Sequence, residues 1–223
     1  MVATGNIRED LSAIEEILRG LGGPLFRSVD CWWGTPAPEE SIEVLAEEFG
    51  ELPEDVIDFY RTTDIATFGY FDSIMDPTFV VERREHLSAA FSLEMQRDYP
   101  EPFKKNAPKS NVILPMSGMP DLACLIEVGG SDHGRVISPP HTGENYWETL
   151  AWSLGDAVAC MRELYEVGWY QNPESLTWEV STTFTKEQAA QLDQIVARWN
   201  CNPKIARSYA YSYGEEPQRP GRQ

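Results

Sequence analysis

From Pro38 to Tyr60 the chain has no Lys and no Arg, yet Glu39, Glu40, Glu43, Glu47, Glu48, Glu51, Glu54, Asp55 and Asp58 place nine carboxylates there. The shortage of positive charge extends to the whole sequence: 18 Lys and Arg face 36 Asp and Glu, a formal net charge of −18 over 223 residues. Such a surface repels phosphate backbones and anionic headgroups and hastens encounter with basic partners. Direct nucleic-acid or membrane-surface binding is therefore disfavoured, although a generally acidic proteome would give the same total without any partner.

Other absences narrow the field further. No run of about 18 apolar residues occurs, and "MVATGNIREDLSAIEE" is not a cationic segment followed by an apolar one, so a cytoplasmic protein is expected. The four cysteines, Cys31, Cys124, Cys160 and Cys201, lack C-x-x-C spacing and are expected as reduced thiols, mostly buried. The phosphate-cradling G-x-x-x-x-G-K-[ST] and G-x-G-x-x-G patterns and the G-x-S-x-G nucleophile elbow are missing, which leaves a nucleotide enzyme or hydrolase nothing visible to work with. Of three histidines, His133 and His141 with Asp132 are the one grouping that a metal or an unrecognised catalytic site could use, and "SDHG" is more simply a turn. No enzyme activity, metal or cofactor is expected.

What is present suits a folded chain. Hydrophobic residues make up 42% and charged ones 24%, with seven Trp, nine Tyr and nine Phe to fill a core. Asn6 and Glu9 have capping-box spacing before Ile7, Leu11, Ile14, Leu18 and Leu21, which recur at helical period until Gly22, Gly23 and Pro24. Ile42, Leu45, Ala46 and Phe49 form a second stripe, closed by Gly50, and Pro53 suits the first residue of a third helix. "TFGYF" and "TFVVE" read as strands and Leu87 to Tyr99 as a helix. "NVILP", "DLACLIEV" and "GRVIS" read as further strands, the last two joined through the turn "GGSDHG". Ser153 and Asp156 then open a helix with Leu154, Ala157, Val158, Met161, Leu164 and Tyr165 inward. Beyond Gly168, "LTWEV" reads as a strand and "TKEQAAQLDQIVARWN" as a helix with Ala189, Leu192, Ile195, Val196 and Trp199 on one side.

The succession of helix, acidic helix, "LPEDVIDFY" helix, central strands and strand-to-helix ending resembles the SUKH superfamily, the Smi/Knr-like proteins. "PAPEESIEVLAEEFG" followed by "ELPEDVIDFYRTTD" carries the likeness, with "HGRVISPPHTGENYWETLAWSLGDAVACM" as a second segment. The sequence departs from the family at "MPDLACL", where a Gly-rich turn is usual, at "TTD", which lacks the usual Asn-Gly or Gly-Gly turn, and over residues 166–223, which have no counterpart in the minimal domain. The resemblance implies an α+β fold with a mainly antiparallel central sheet flanked by N- and C-terminal helices. A SUKH-like domain is expected over 1–165, a C-terminal strand and helix extension packed on the core over 166–213, and a disordered tail over 214–223.

Most bacterial members of that family are thought to be immunity proteins, which bind and neutralise a toxin. The resemblance therefore implies a non-catalytic, cytosolic protein-binding module whose partner is a basic, nuclease-type toxin domain. The alternative is a regulatory or scaffolding module binding a cellular protein. The expected partner-binding residues are Glu39, Glu40, Glu43, Glu47, Glu51, Glu54 and Asp55, with Trp33 as an aromatic anchor. Solvated acids opposite an apolar stripe are equally the ordinary state of a surface helix. What that ordinary state leaves unexplained is the absence of i, i+4 Glu–Lys pairs.

Overall fold

The computed structural model describes residues 6–21, 36–62, 111–113, 125–138, 147–167 and 186–202. Outside them lie the loop with Trp32 and Trp33, the expected strands at 67–71, 78–82 and 176–180, the expected helix at 87–99, the tail at 214–223, and Cys31 and Cys124. The fold is α+β: several helices accompany a small antiparallel sheet. By internal contact the chain divides into two compact units, Met1–Asp30 with Thr149–Gln223, and Cys31–Glu148. Among the described residues no helix is long and apolar enough to cross a membrane.

In the first unit, α1 (Ile7–Leu21) opens as the sequence foretells: the Glu9 N–H donates to Asn6 Oδ1 at 3.4 Å, the N-cap half of a capping box. Ile7, Leu11 and Ile14 are buried. A short strand, β1 (Glu148–Ala151), begins at the division between the units and is followed at once by α2 (Leu154–Glu166). The Asp156 N–H donates to Ser153 Oγ at 3.0 Å, so Ser153 is the expected cap. All six residues expected to face inward are buried, and so are Gly155, Ala159 and Cys160. Helix α2 is covered on more than one side because α1 and α3 (Lys186–Arg198) both pack against it. Its small residues leave room for two neighbours. Leu192, Ile195, Val196 and Trp199 form the buried side of α3; each side chain of this size removed from water contributes about 1.5–3 kcal/mol.

Helix α3 ends in a Schellman arrangement. The Cys201 N–H reaches back to the Val196 carbonyl at 3.0 Å, and Asn200 takes the left-handed position with φ 51°. Asn tolerates that conformation better than any other side chain that could stand there except Gly. The next residue, Asn202, is 2% exposed and holds two carbonyls of β1: its N–H donates to Leu150 at 2.7 Å and its Nδ2 to Thr149 at 3.0 Å. The chain leaving α3 is thus clasped to β1.

The second unit contains α4 (Glu39–Phe49) and α5 (Glu54–Thr62). Ile42, Leu45 and Phe49 on α4 and Val56, Phe59 and Tyr60 on α5 are buried, with the Phe59 and Tyr60 rings edge to face at 5.7 Å. Gly50 stops α4 at φ 99°, and nothing lies within 4 Å of where its Cβ would be, so glycine is required there by backbone conformation and not by space. Pro53 stands one position before the place expected for it. It is the N-cap of α5, its carbonyl accepting from Val56 and Ile57 at 3.1 Å each, and Pro38 likewise precedes α4 without any side-chain cap. Neither proline offers a side chain for the free N–H groups of the first turn, a lack offset by acids beside the positive helix end.

The sheet of this unit comprises β2 (Asn111–Ile113), β3 (Leu125–Val128) and β4 (Val136–Ser138), with β3 antiparallel to both others. Asn111 pairs with Val128 and Ile113 with Ile126; Ile126 in turn pairs with Val136. Between β3 and β4 the chain makes a 3-10 turn at Gly130–Asp132, with Gly129 and Gly134 at φ 80° and 87°. Both sides of β3 are covered: Ile126 and Val128 on one, and on the other Glu127, whose carboxylate is bonded to the Arg135 guanidinium across the hairpin.

Candidate functional site

The acidic residues singled out in the sequence fall on α4, α5 and the link between them. At about 100° per residue, Glu39, Glu40, Glu43 and Glu47 occupy a single arc of α4 roughly 100° wide, opposite the buried Ile42, Leu45 and Phe49. Glu39, Glu40, Glu43, Glu47, Glu51 and Glu54 are exposed, and Asp55 is half-buried. Trp33 and the side chain of Glu48 lie outside the described residues.

Two groups of acids emerge. Glu39 and Glu40 occupy the first turn of α4, and Glu54 and Asp55 that of α5, where carboxylates favourably meet the positive end of the helix. Glu39 also has a cation: Arg61 Nε donates to its Oε1 at 2.8 Å and Nη2 to its Oε2 at 3.1 Å. That fork holds the Glu39 carboxyl below its ordinary pKa, the hydrogen bond being the main cause. Arg61 stands one residue beyond the stretch that lacks bases, so the sequence window hid the pairing. Glu39 belongs to the scaffold that ties the start of α4 to the end of α5, together with the Ala37 N–H donating to the Tyr60 carbonyl at 2.8 Å.

Glu43, Glu47 and Glu51 have no such account. The last turn of α4 holds no base, and Glu47 sits there, at the negative end of the helix dipole. Glu43 is four residues before it, a spacing at which like charges repel. Helix stability alone would select against this arrangement.

Asp132 and His133 are engaged in the hairpin. His133 Nδ1 accepts from the Gly129 N–H at 2.9 Å, and the Asp132 carbonyl accepts from the Arg135 N–H at 3.0 Å; His141 lies outside the described residues. Among the described residues no group of three or more His, Cys, Asp or Glu is placed to hold a metal ion.

Two buried polar pairings in the first unit were not anticipated. Asp10, 4% exposed, lies between Ile7, Leu11 and Ile14 on the inner face of α1 and forms an ion pair with Arg162 of α2, Nε to Oδ1 at 3.3 Å. Burial raises its carboxyl above the ordinary value, with Arg162 and the Asn6 backbone N–H opposing that rise. Its position three residues after Ile7 and four before Ile14, within the apolar stripe, is a signal the sequence does contain. The second, the Cys201 thiol donating to the Asp156 carbonyl of α2 at 3.7 Å, left none, since nothing in the sequence places an α2 residue beside the end of α3.

No protein-family model matches this chain, and neither does any curated protein or solved structure.

Proposed function

We propose that the chain is a non-catalytic protein-binding module of SUKH type. In this reading it is a cytosolic immunity protein that neutralises a basic, nuclease-type toxin domain, with the exposed acids of α4 and the following link as the docking face. One observation carries the reading: Glu43 and Glu47 are exposed on a helix whose last turn contains no base, an arrangement that weakens the helix and strengthens the outward negative potential. Glu40, Glu51 and Glu54 extend that potential, while Glu39, engaged by Arg61, contributes less than its formal charge. Carboxylates on such a face stand where substrate phosphates would approach a basic cleft, and steering of this kind accelerates association at low salt.

The test is a pull-down with the tagged protein at low and high salt, with mass spectrometry of the eluate, followed by association kinetics on the recovered domain. The double substitution Glu43→Lys and Glu47→Lys is expected to slow association about tenfold or more at low ionic strength, converging with the parent as salt rises. An unchanged on-rate removes this face from the interface. Recovery of a neutral partner indifferent to salt would replace immunity by a scaffolding role.

A further inference from the structure

Cys160 and Cys201 are both free and buried, at 0% and 5% exposure. In α2 the Asp156 carbonyl lies at the turn where it accepts from the N–H four residues on, that of Cys160. The Cys201 thiol donates to the same Asp156 carbonyl at 3.7 Å, so its sulfur lies along the turn that bears Cys160. The same thiol lies 3.6 Å from the Trp199 carbonyl, so it is held between the end of α3 and that turn of α2. Cys201 is held there by the Schellman bond to Val196 on one side and by Asn202, bonded to Leu150 and Thr149, on the other. A small thiol filling a gap in the core would need no second thiol beside it.

We propose that Cys160 and Cys201 form a redox modification site, a dithiol that a peroxide-class oxidant converts into a disulfide joining the end of α3 to α2. The balance is simple. One sulfur, as thiolate, attacks a peroxide oxygen; the O–O bond breaks, water leaves, and a sulfenic acid forms. The second sulfur then displaces that hydroxyl as water and the S–S bond closes. Two thiols and one peroxide give one disulfide and two waters, two electrons passing from sulfur to oxygen. The bond would be transient in a reducing compartment, as cytosolic disulfides usually are.

The site is slow while closed. The neighbouring Cys160 and then burial hold the Cys201 thiol well above its ordinary pKa, so little thiolate is present. Reaction follows opening of the 199–202 segment. Oxidation is therefore expected to accelerate in sub-denaturing urea, and several-fold in the Asn202→Ala protein, whose clasp is weakened.

The experiment treats the native full-length protein with hydrogen peroxide, quenches by alkylation under denaturing conditions, and maps non-reduced peptides by mass spectrometry. The expected product is a peptide pair cross-linked through Cys160 and Cys201, absent from the Cys201→Ser protein, with slower amide exchange in α3 of the oxidised form. The proposal is overturned if both thiols remain alkylatable in urea-opened protein, if each is oxidised singly, or if they pair only with Cys31 or Cys124. A Cys160–Cys201 bond that leaves exchange in α3 unchanged would overturn the joining of the two helices.

Discussion

Truncation of Asn202 to Ala tests whether the clasp after α3 holds that helix in place. The substitution keeps the backbone N–H bond to Leu150 at 2.7 Å and deletes the Nδ2 bond to the Thr149 carbonyl at 3.0 Å, at a residue 2% exposed. Removing one partner of a buried hydrogen bond costs about 1–3 kcal/mol. The space left by the amide adds to this, so a loss of about 2 kcal/mol is expected. For a chain of this size that corresponds to roughly 4–8 °C in melting temperature. Asn202→Asp should be worse than Ala, because it sets a carboxylate oxygen against the Thr149 carbonyl where a donor stood. Urea denaturation followed by circular dichroism gives the readout: a lower midpoint at unchanged slope for Ala, and a lower one still for Asp. An Ala protein within about 0.5 kcal/mol of the parent, the range of an ordinary surface change, would refute the clasp. So would an Asp protein more stable than the Ala protein.

Asp10→Asn probes the buried pair. Because the folded Asp10 pKa is raised, the unfolded chain releases this proton first, and its contribution to stability falls as pH rises from the ordinary carboxylate range through the folded value, then levels. The difference in stability, parent minus Asp10→Asn, measured in urea titrations across acidic pH, should fall with pH in that window; a flat or rising difference contradicts the assignment. Arg61→Gln should let the Glu39 carboxyl return upward toward its ordinary pKa in a carboxylate-resolved NMR titration, since its depression stems from the Arg61 fork. An unmoved Glu39 titration would show that the fork does not persist in solution.

The helices were legible where local chemistry determines them. Asn6 and Ser153 both cap as their spacing indicates. Ile7, Leu11 and Ile14 of α1, the six inward residues of α2, Leu192, Ile195, Val196 and Trp199, and Ile42, Leu45 and Phe49 of α4 are buried as read. Ala46 and Ala189 are half-buried, and the side chains of Leu18 and Leu21 lie outside the described residues. Strands Asn111–Ile113, Leu125–Val128 and Val136–Ser138 lie within the three segments chosen for alternating apolar residues and turn-forming glycines. Strand Glu148–Ala151 carries no strand signal in the sequence, since "ETLA" mixes an acid and a hydroxyl with two apolar residues; its four residues are buried all the same. Alternation cannot reveal a strand covered on both sides. The displacement of Pro53 by one position, from first helical residue to N-cap, is of the size at which helix boundaries ordinarily shift.

What sequence reading could not supply is which side chains from distant segments meet. The nine acids of residues 38–60 looked uniform; the fold sorts them by what surrounds each. Glu39 has Arg61, and the other first-turn acids have a helix end to complement. For Glu43 and Glu47 no stabilising role remains on α4, and for that reason the charge-reversal experiment is aimed at those two alone. The acids lie in the unit Cys31–Glu148, whereas Cys160, Cys201 and Asn202 lie in the other. Reversal of charge at Glu43 and Glu47 should therefore leave the rate of Cys160–Cys201 oxidation unchanged, and Asn202→Ala should leave the salt dependence of partner association unchanged. Either cross-effect would mean that the two units communicate, and the two proposals would then have to be tested as one.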